Sequence, residues 1–143
     1  MIRGIIFSFI CFAVFSCSKD SNQLNNDYSG TYKGTVIDSI NGQYHSTLNN
    51  HSITLTRNSG SNNYTITNGL IMTSTAVISG SSFIISEVTA AQSPSFNVIE
   101  YANGNFSGTA NTTLSVTFYQ NQVSPTTNAV LTRAVRKCVF TKQ

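Results

Sequence analysis

Residues 98–110 read Val98-Ile99-Glu100-Tyr101-Ala102-Asn103-Gly104-Asn105-Phe106-Ser107-Gly108-Thr109-Ala110. Two short runs of strand-forming residues flank Asn103-Gly104, a pair suited to a type I′ turn because both residues accept positive φ. Read as a hairpin, Val98–Ala102 pairs with Asn105–Ala110. Tyr101 then lies beside Phe106, and Ile99 faces Gly108. An aromatic cross-strand pair of this kind adds a fraction of a kcal/mol.

The same grammar extends along the chain in both directions. Tyr28, Gly30, Tyr32, Gly34 and Val36 fall on one face of a first strand, the period-2 alternation of a half-buried sheet. Ile53 and Leu55 alternate with Thr54 and Thr56, and Tyr64 and Ile66 fall on one side of the run from Tyr64 to Thr67. Ala76–Ile78 and Phe83–Val88 flank a Ser79-Gly80-Ser81 turn signal. Leu114, Val116 and Phe118 alternate with Ser115, Thr117 and Tyr119. After a loop around Ser124–Asn128, Ala129–Thr141 reads as a long final strand, bulged because both faces mix apolar and basic residues. No run has helical periodicity. About eight short strands with turn signals between them predict an all-β antiparallel meander, closed as a barrel or packed as a β-sandwich.

Composition agrees with an exported β protein. Asp, Glu, Lys and Arg make up 9 % of the chain, against roughly 25 % in average soluble domains; Ser, Thr and Asn carry the polarity instead. The formal charge is +3, and the late cations Arg133, Arg136, Lys137 and Lys142 read as the solvent face of a terminal strand. Without interleaved exposed aromatics they do not make a nucleic-acid surface.

Residues 1–17 combine Arg3, an apolar run from Gly4 to Phe15, then Ser16 and Cys17. The run has signal-peptide length and is too short for a membrane-spanning helix, which needs roughly 20 residues. Val14-Phe15-Ser16-Cys17 resembles a lipobox, with Phe15 departing from the strict pattern. The resemblance implies a bacterial lipoprotein: residues 1–16 removed, and Cys17 alkylated by diacylglycerol and acylated with chains such as palmitate. Ser18, rather than Asp, behind the lipidated residue implies the outer membrane, on its periplasmic face or at the cell surface. Residues 17–27 are then the lipidated Cys and a polar tether, whose ten residues after Cys17 reach about 17–19 Å. The domain is 28–143. With Cys11 removed and Cys17 acylated, Cys138 has no disulfide partner and reads as a small buried hydrophobe.

Tyr28-Ser29-Gly30-Thr31-Tyr32-Lys33-Gly34-Thr35 resembles the first strand of small lipocalin-like (calycin-type) lipoproteins of Bacteroidetes. Gly30-Thr31-Tyr32 stands where lipocalins carry Gly-x-Trp. The resemblance implies a barrel with Arg133 or Arg136 packed across the Tyr32 ring as a closing pair, and a mouth that takes a small apolar ligand. Asp38-Ser39-Ile40 resembles the short O-glycosylation motif of exported proteins from the same bacteria, which implies Ser39 as acceptor.

Candidate chemistry is sparse. His45 and His51 flank Asn49-Asn50, which reads as a hairpin turn, and two exposed loop histidines fall short of the three protein ligands of a zinc site. Asp38, Glu87 and Glu100 are the acids of the strand region. A facing Glu87–Glu100 pair would suit glycoside hydrolysis, but solvated strand-face charge is the expected role of all three. No nucleophile elbow of the Gly-x-Ser-x-Gly kind occurs. The expectation is a non-enzymatic lipoprotein with no metal and no cofactor. Its barrel either binds a small apolar ligand or is filled by side chains and meets other envelope proteins. Interior packing of Tyr32, Phe83, Phe106, Phe118 and Phe140 separates these readings.

Overall fold

A computed structural model of the chain describes residues 27–67 and 69–143. The expected signal peptide, the lipidated Cys17 and the tether up to residue 26 lie outside them. Eight antiparallel strands follow one another around a closed barrel: β1 Gly30–Ile40, β2 Gln43–Arg57, β3 Asn63–Thr67, β4 Thr75–Ser79, β5 Ser82–Gln92, β6 Asn97–Ser107, β7 Thr113–Val123 and β8 Val130–Lys142. β8 returns to pair with β1, Tyr32 opposite Lys142 and Ile40 opposite Ala134. Of barrel and sandwich, the chain therefore forms the barrel, which leaves no open edge at the seam.

Alternation sets the two faces. Tyr32 and Val36 of β1, Ile53 and Leu55 of β2, Phe83 and Ile85 of β5 and Leu114, Val116 and Phe118 of β7 all point inward and are buried. Each such side chain contributes roughly 1.5–3 kcal/mol by leaving water. Phe106 meets Tyr28, Tyr32 and Phe83 at ring-centroid distances of 4.3, 5.9 and 6.4 Å, and Phe83 meets Phe118 at 6.3 Å. With Phe140, these rings fill the interior.

The two ends differ. At the base, Tyr28 closes the barrel: its ring packs on Phe106 and Tyr64, its hydroxyl donates to the Gly80 carbonyl, and its own carbonyl accepts from Tyr32 Oη at 2.9 Å. At the mouth, β1, β2 and β5–β8 rise beyond the five-residue strands β3 and β4. The β3–β4 connection fills the shortfall, and its Leu70 and Ile71 pack against the core.

Two sequence expectations are corrected. Asn103-Gly104 is not a turn. It lies inside β6, which pairs along its length with β7, from Asn97 opposite Val123 to Ser107 opposite Thr113. Tyr101 and Phe106 accordingly face opposite sides. Gly104 serves another need: a Cβ there would run into Ser115 O and stand 2.7 Å from Val116 Cα. The neighbouring backbone approaches too closely for any side chain. The type I′ turn falls instead at Asn41-Gly42, with φ of 51° and 82°, between β1 and β2. Asn49-Asn50 is likewise internal to a strand. It forms a bulge in β2 where the register moves from Gly34–His51 to Val36–Leu48, and Asn50 takes a φ of 61°. The expected bulge in the last strand is present, where pairing steps from Gln122–Thr132 to Val123–Val130.

Candidate functional site

Glu100 is the polar centre of the barrel mouth. It shares the inward face of β6 with Val98, Ala102 and Phe106 and is 0 % exposed. It was expected as a solvated strand-face charge; the alternation that buries Val98 and Ala102 buries it as well. Every lone pair it offers is directed at a donor. Oε1 accepts from Met72 N at 3.0 Å and Gln120 Nε2 at 2.8 Å; Oε2 accepts from Thr73 N at 2.8 Å and Thr73 Oγ1 at 2.9 Å. Burial pushes this carboxyl up, but the hydrogen bonds from Met72, Thr73 and Gln120 outweigh it and hold Glu100 below its ordinary value. A carboxylate so occupied is a clasp for the β3–β4 connection rather than a proton donor.

Arg136 reinforces the clasp. It was expected on the solvent face but points inward from β8, donating to Leu70 O at 3.0 Å and pairing with Asp38 Oδ1 at 3.5 Å. Asp38, also expected in solvent, is thus an inward partner on β1. Glu87 faces out from β5 and does not meet Glu100.

The lipocalin-type closing pair is not formed by either arginine. Arg136 sits opposite Asp38, six positions along β1 from Tyr32, and Arg133 faces outward at the mouth, its amide donating to Asn41 Oδ1 at 2.9 Å. The cation over the Tyr32 ring is Lys142, at 5.9 Å from Nζ to centroid. Register explains the substitution, since Lys142 is the β8 partner of Tyr32. Burial pushes the Tyr32 phenol up to about 12, with Tyr64, Asp27 and Tyr28 adding to the shift. Ser39 lies near the end of β1, partly buried, its hydroxyl 3.5 Å from Val135 O. His45 and His51 belong to the same strand, β2, rather than to a loop, and His51 lies 6.3 Å from the Phe140 ring. Among the described residues no group of three His, Cys, Asp or Glu side chains comes together to hold a metal. Cys138 is buried between β7 and β1, and burial pushes its thiol up to about 12, Arg136 opposing and Asp38 adding.

The outer wall carries a feature that the sequence reading missed. A cavity of about 400 Å³ lies across β6, β7, β8 and β1, outside the barrel. One of its cross-strand rows runs Asn103, Thr117, Lys137, Ile37; the next runs Asn105, Ser115, Val139, Thr35. Alternation alone could have marked these residues as outward-facing, but not that four strands would bring them into line. No family model, no curated protein and no solved structure matches this chain.

Proposed function

We propose that the chain is an outer-membrane lipoprotein, anchored through acylated Cys17, whose barrel acts through its outer surface as a non-enzymatic binding module of the cell envelope. The filled interior carries this reading. Tyr32, Phe83, Phe118 and Phe140 are fully buried and Phe106 is 3 % exposed, while Glu100 and Arg136 hold the β3–β4 connection across the mouth with bonds made within the chain. An apolar guest would have to displace packed rings, and each lost ring contact removes stabilisation of the fold itself. Of the two roles expected for the barrel, the filled one suits this packing. Tyr28 closes the base, where the described chain begins at Asp27, at the end of the barrel opposite the mouth.

Native mass spectrometry of protein purified from envelopes tests the reading. The expected spectrum carries the mass of the polypeptide and its acyl groups alone. A stoichiometric apolar ligand that survives purification overturns it in favour of an internal binding site.

A further inference from the structure

We infer that the groove on the outer wall is a binding site for an acidic oligosaccharide. The inference rests on the reading that the barrel acts through its outer surface, and it names the class of ligand.

The two rows span about 14 Å across four strands and stand about 7 Å apart along them. The cavity volume falls within the range of small-ligand sites, roughly 300–1,000 Å³. Six polar side chains line it: Thr35, Asn103, Asn105, Ser115, Thr117 and Lys137. Within the described residues none of the six makes a side-chain hydrogen bond or ion pair. Five of them are neutral, and all five both donate and accept hydrogen bonds. That is the complement of a ligand whose hydroxyls do the same. Ile37 and Val139, 46 % and 56 % exposed, give the apolar ground on which the C–H face of a sugar ring can lie.

Charge decides that the sugar is acidic. Of the four acids in the described residues, Asp38 and Glu100 point into the barrel, Asp27 lies at the base and Glu87 is on β5. The outer wall of β6, β7, β8 and β1 therefore presents Lys33, Arg133 and Lys137 with no carboxylate among them. Only Lys137 stands in the groove, in the middle of a row, placing one point charge among neutral hydrogen-bonding groups. A nucleic acid would call for several cations tracking successive phosphates. A protein partner would call for the aromatic anchors that dominate interface cores, and the groove holds none. The stacked pair Tyr101–Tyr119, centroids 4.5 Å apart and planes 10° from parallel, stands one row further toward the mouth.

The test is equilibrium binding of full-length protein in detergent micelles to four probes: fluorescent polygalacturonate oligomers, neutral dextran oligomers, polyglutamate and single-stranded DNA. Saturable binding of polygalacturonate, weaker binding of dextran and none of polyglutamate or DNA is expected. Lys137→Gln should weaken polygalacturonate binding about tenfold, the loss of one charge-assisted hydrogen bond, and leave dextran binding unchanged. Asn103→Ala/Asn105→Ala should weaken both sugars. Lys33→Gln removes the same charge outside the groove and should change neither. Equal losses from Lys33→Gln and Lys137→Gln, or equal binding of all polyanions, overturn the inference in favour of diffuse charge attraction. Absence of sugar binding, with photocrosslinks from position 117 to an envelope protein, overturns the sugar inference while leaving the outer-surface reading standing.

Discussion

At the residue scale, Glu100 shows what a single buried charge can do. Its carboxylate joins β6 to the connection between β3 and β4, which are not its sheet neighbours, so one side chain fixes the position of a segment remote in the sheet order. Glu100→Ala leaves the Met72 and Thr73 amides and the Gln120 amide without their acceptor, and an expected loss of about 3 kcal/mol follows from a few donors left unpaired. Glu100→Gln keeps one oxygen and is expected to cost about 1–2 kcal/mol. Urea midpoints measure both. The sign with pH follows from the direction of the shift. A carboxyl held below its ordinary 4.5 contributes stability at pH above that value and loses it as pH falls through the folded-state pKa. Unfolding midpoints of the native chain should therefore drop below about pH 4.5, and those of Glu100→Gln should drop less. Asp27, lowered by its bond from the Ser29 amide, leaves a residual slope in both. Cys138 offers a second residue-scale prediction. With burial holding its thiol at about 12, the Cys11→Ser/Cys17→Ser chain should resist iodoacetamide at pH 8 and react readily in urea. Prompt native labelling would show that the wall between β7 and β1 opens. The sequence held the clue to Glu100, because it stands two residues from both Val98 and Ala102. A charged side chain read alone suggests solvent, and only its partners, drawn from residues 72, 73 and 120, stabilise it inside.

At the scale of elements, Asn41-Gly42 and Asn103-Gly104, the Asn-Gly pairs that lie wholly within the described residues, separate what local sequence can say from what it cannot. Both fit a type I′ turn, yet only Asn41-Gly42 makes one. The strand preceding Asn103 is already paired with β5, Ala102 opposite Ile85, and that pairing continues past the glycine, Gly104 opposite Phe83. Long-range pairing on both sides thus outweighs a local turn preference. The two glycines are required for different reasons, and substitution should distinguish them. Gly42 has a φ of 82° and nothing within 4 Å of a Cβ, so Gly42→Ala meets only the left-handed backbone penalty of about 1–2 kcal/mol. Gly104→Ala forces β6 away from Ser115 and Val116 of β7 and is expected to cost about 3 kcal/mol, at the upper end of overpacking effects. Comparable urea midpoints for the two variants would contradict the close approach of β6 and β7. Strand identity and inward faces were legible because period 2 is local: Tyr28, Tyr32 and Val36 are buried as their spacing predicts. The bulge at Asn49-Asn50 and the exchange of Arg for Lys142 over Tyr32 were not, since both depend on which residue of a partner strand lies opposite.

At the scale of the whole molecule, the barrel has a polarity that bears on how an anchor would present it. The described chain enters at the base, beneath Tyr28, and the base loops, the β2–β3, β4–β5 and β6–β7 connections, surround that entry. The mouth, with the Asn41-Gly42 turn and residues 93–96 and 124–129, is at the far end. The proposed tether of about 17–19 Å is shorter than β2, whose 15 residues extend about 50 Å at 3.3 Å each before the bulge shortens them. An anchor at Cys17 would therefore keep the base near the lipid and allow the groove on β6, β7, β8 and β1 to face outward. The anchor itself makes the last prediction. Cys17→Ser removes the thiol that a diacylglycerol would alkylate, so it should abolish metabolic labelling by a palmitate analogue and move the chain from the membrane pellet to the soluble fraction. Because the strands of the barrel begin only at Gly30, the released chain should unfold at the same urea concentration as the acylated one. Labelling that persists in Cys17→Ser would refute the anchor. Release accompanied by a lower midpoint would show that acylated Cys17 supports the barrel as well as tethering it. Release with an unchanged midpoint would separate attachment, held by the first residues, from stability, held by the barrel's own packing.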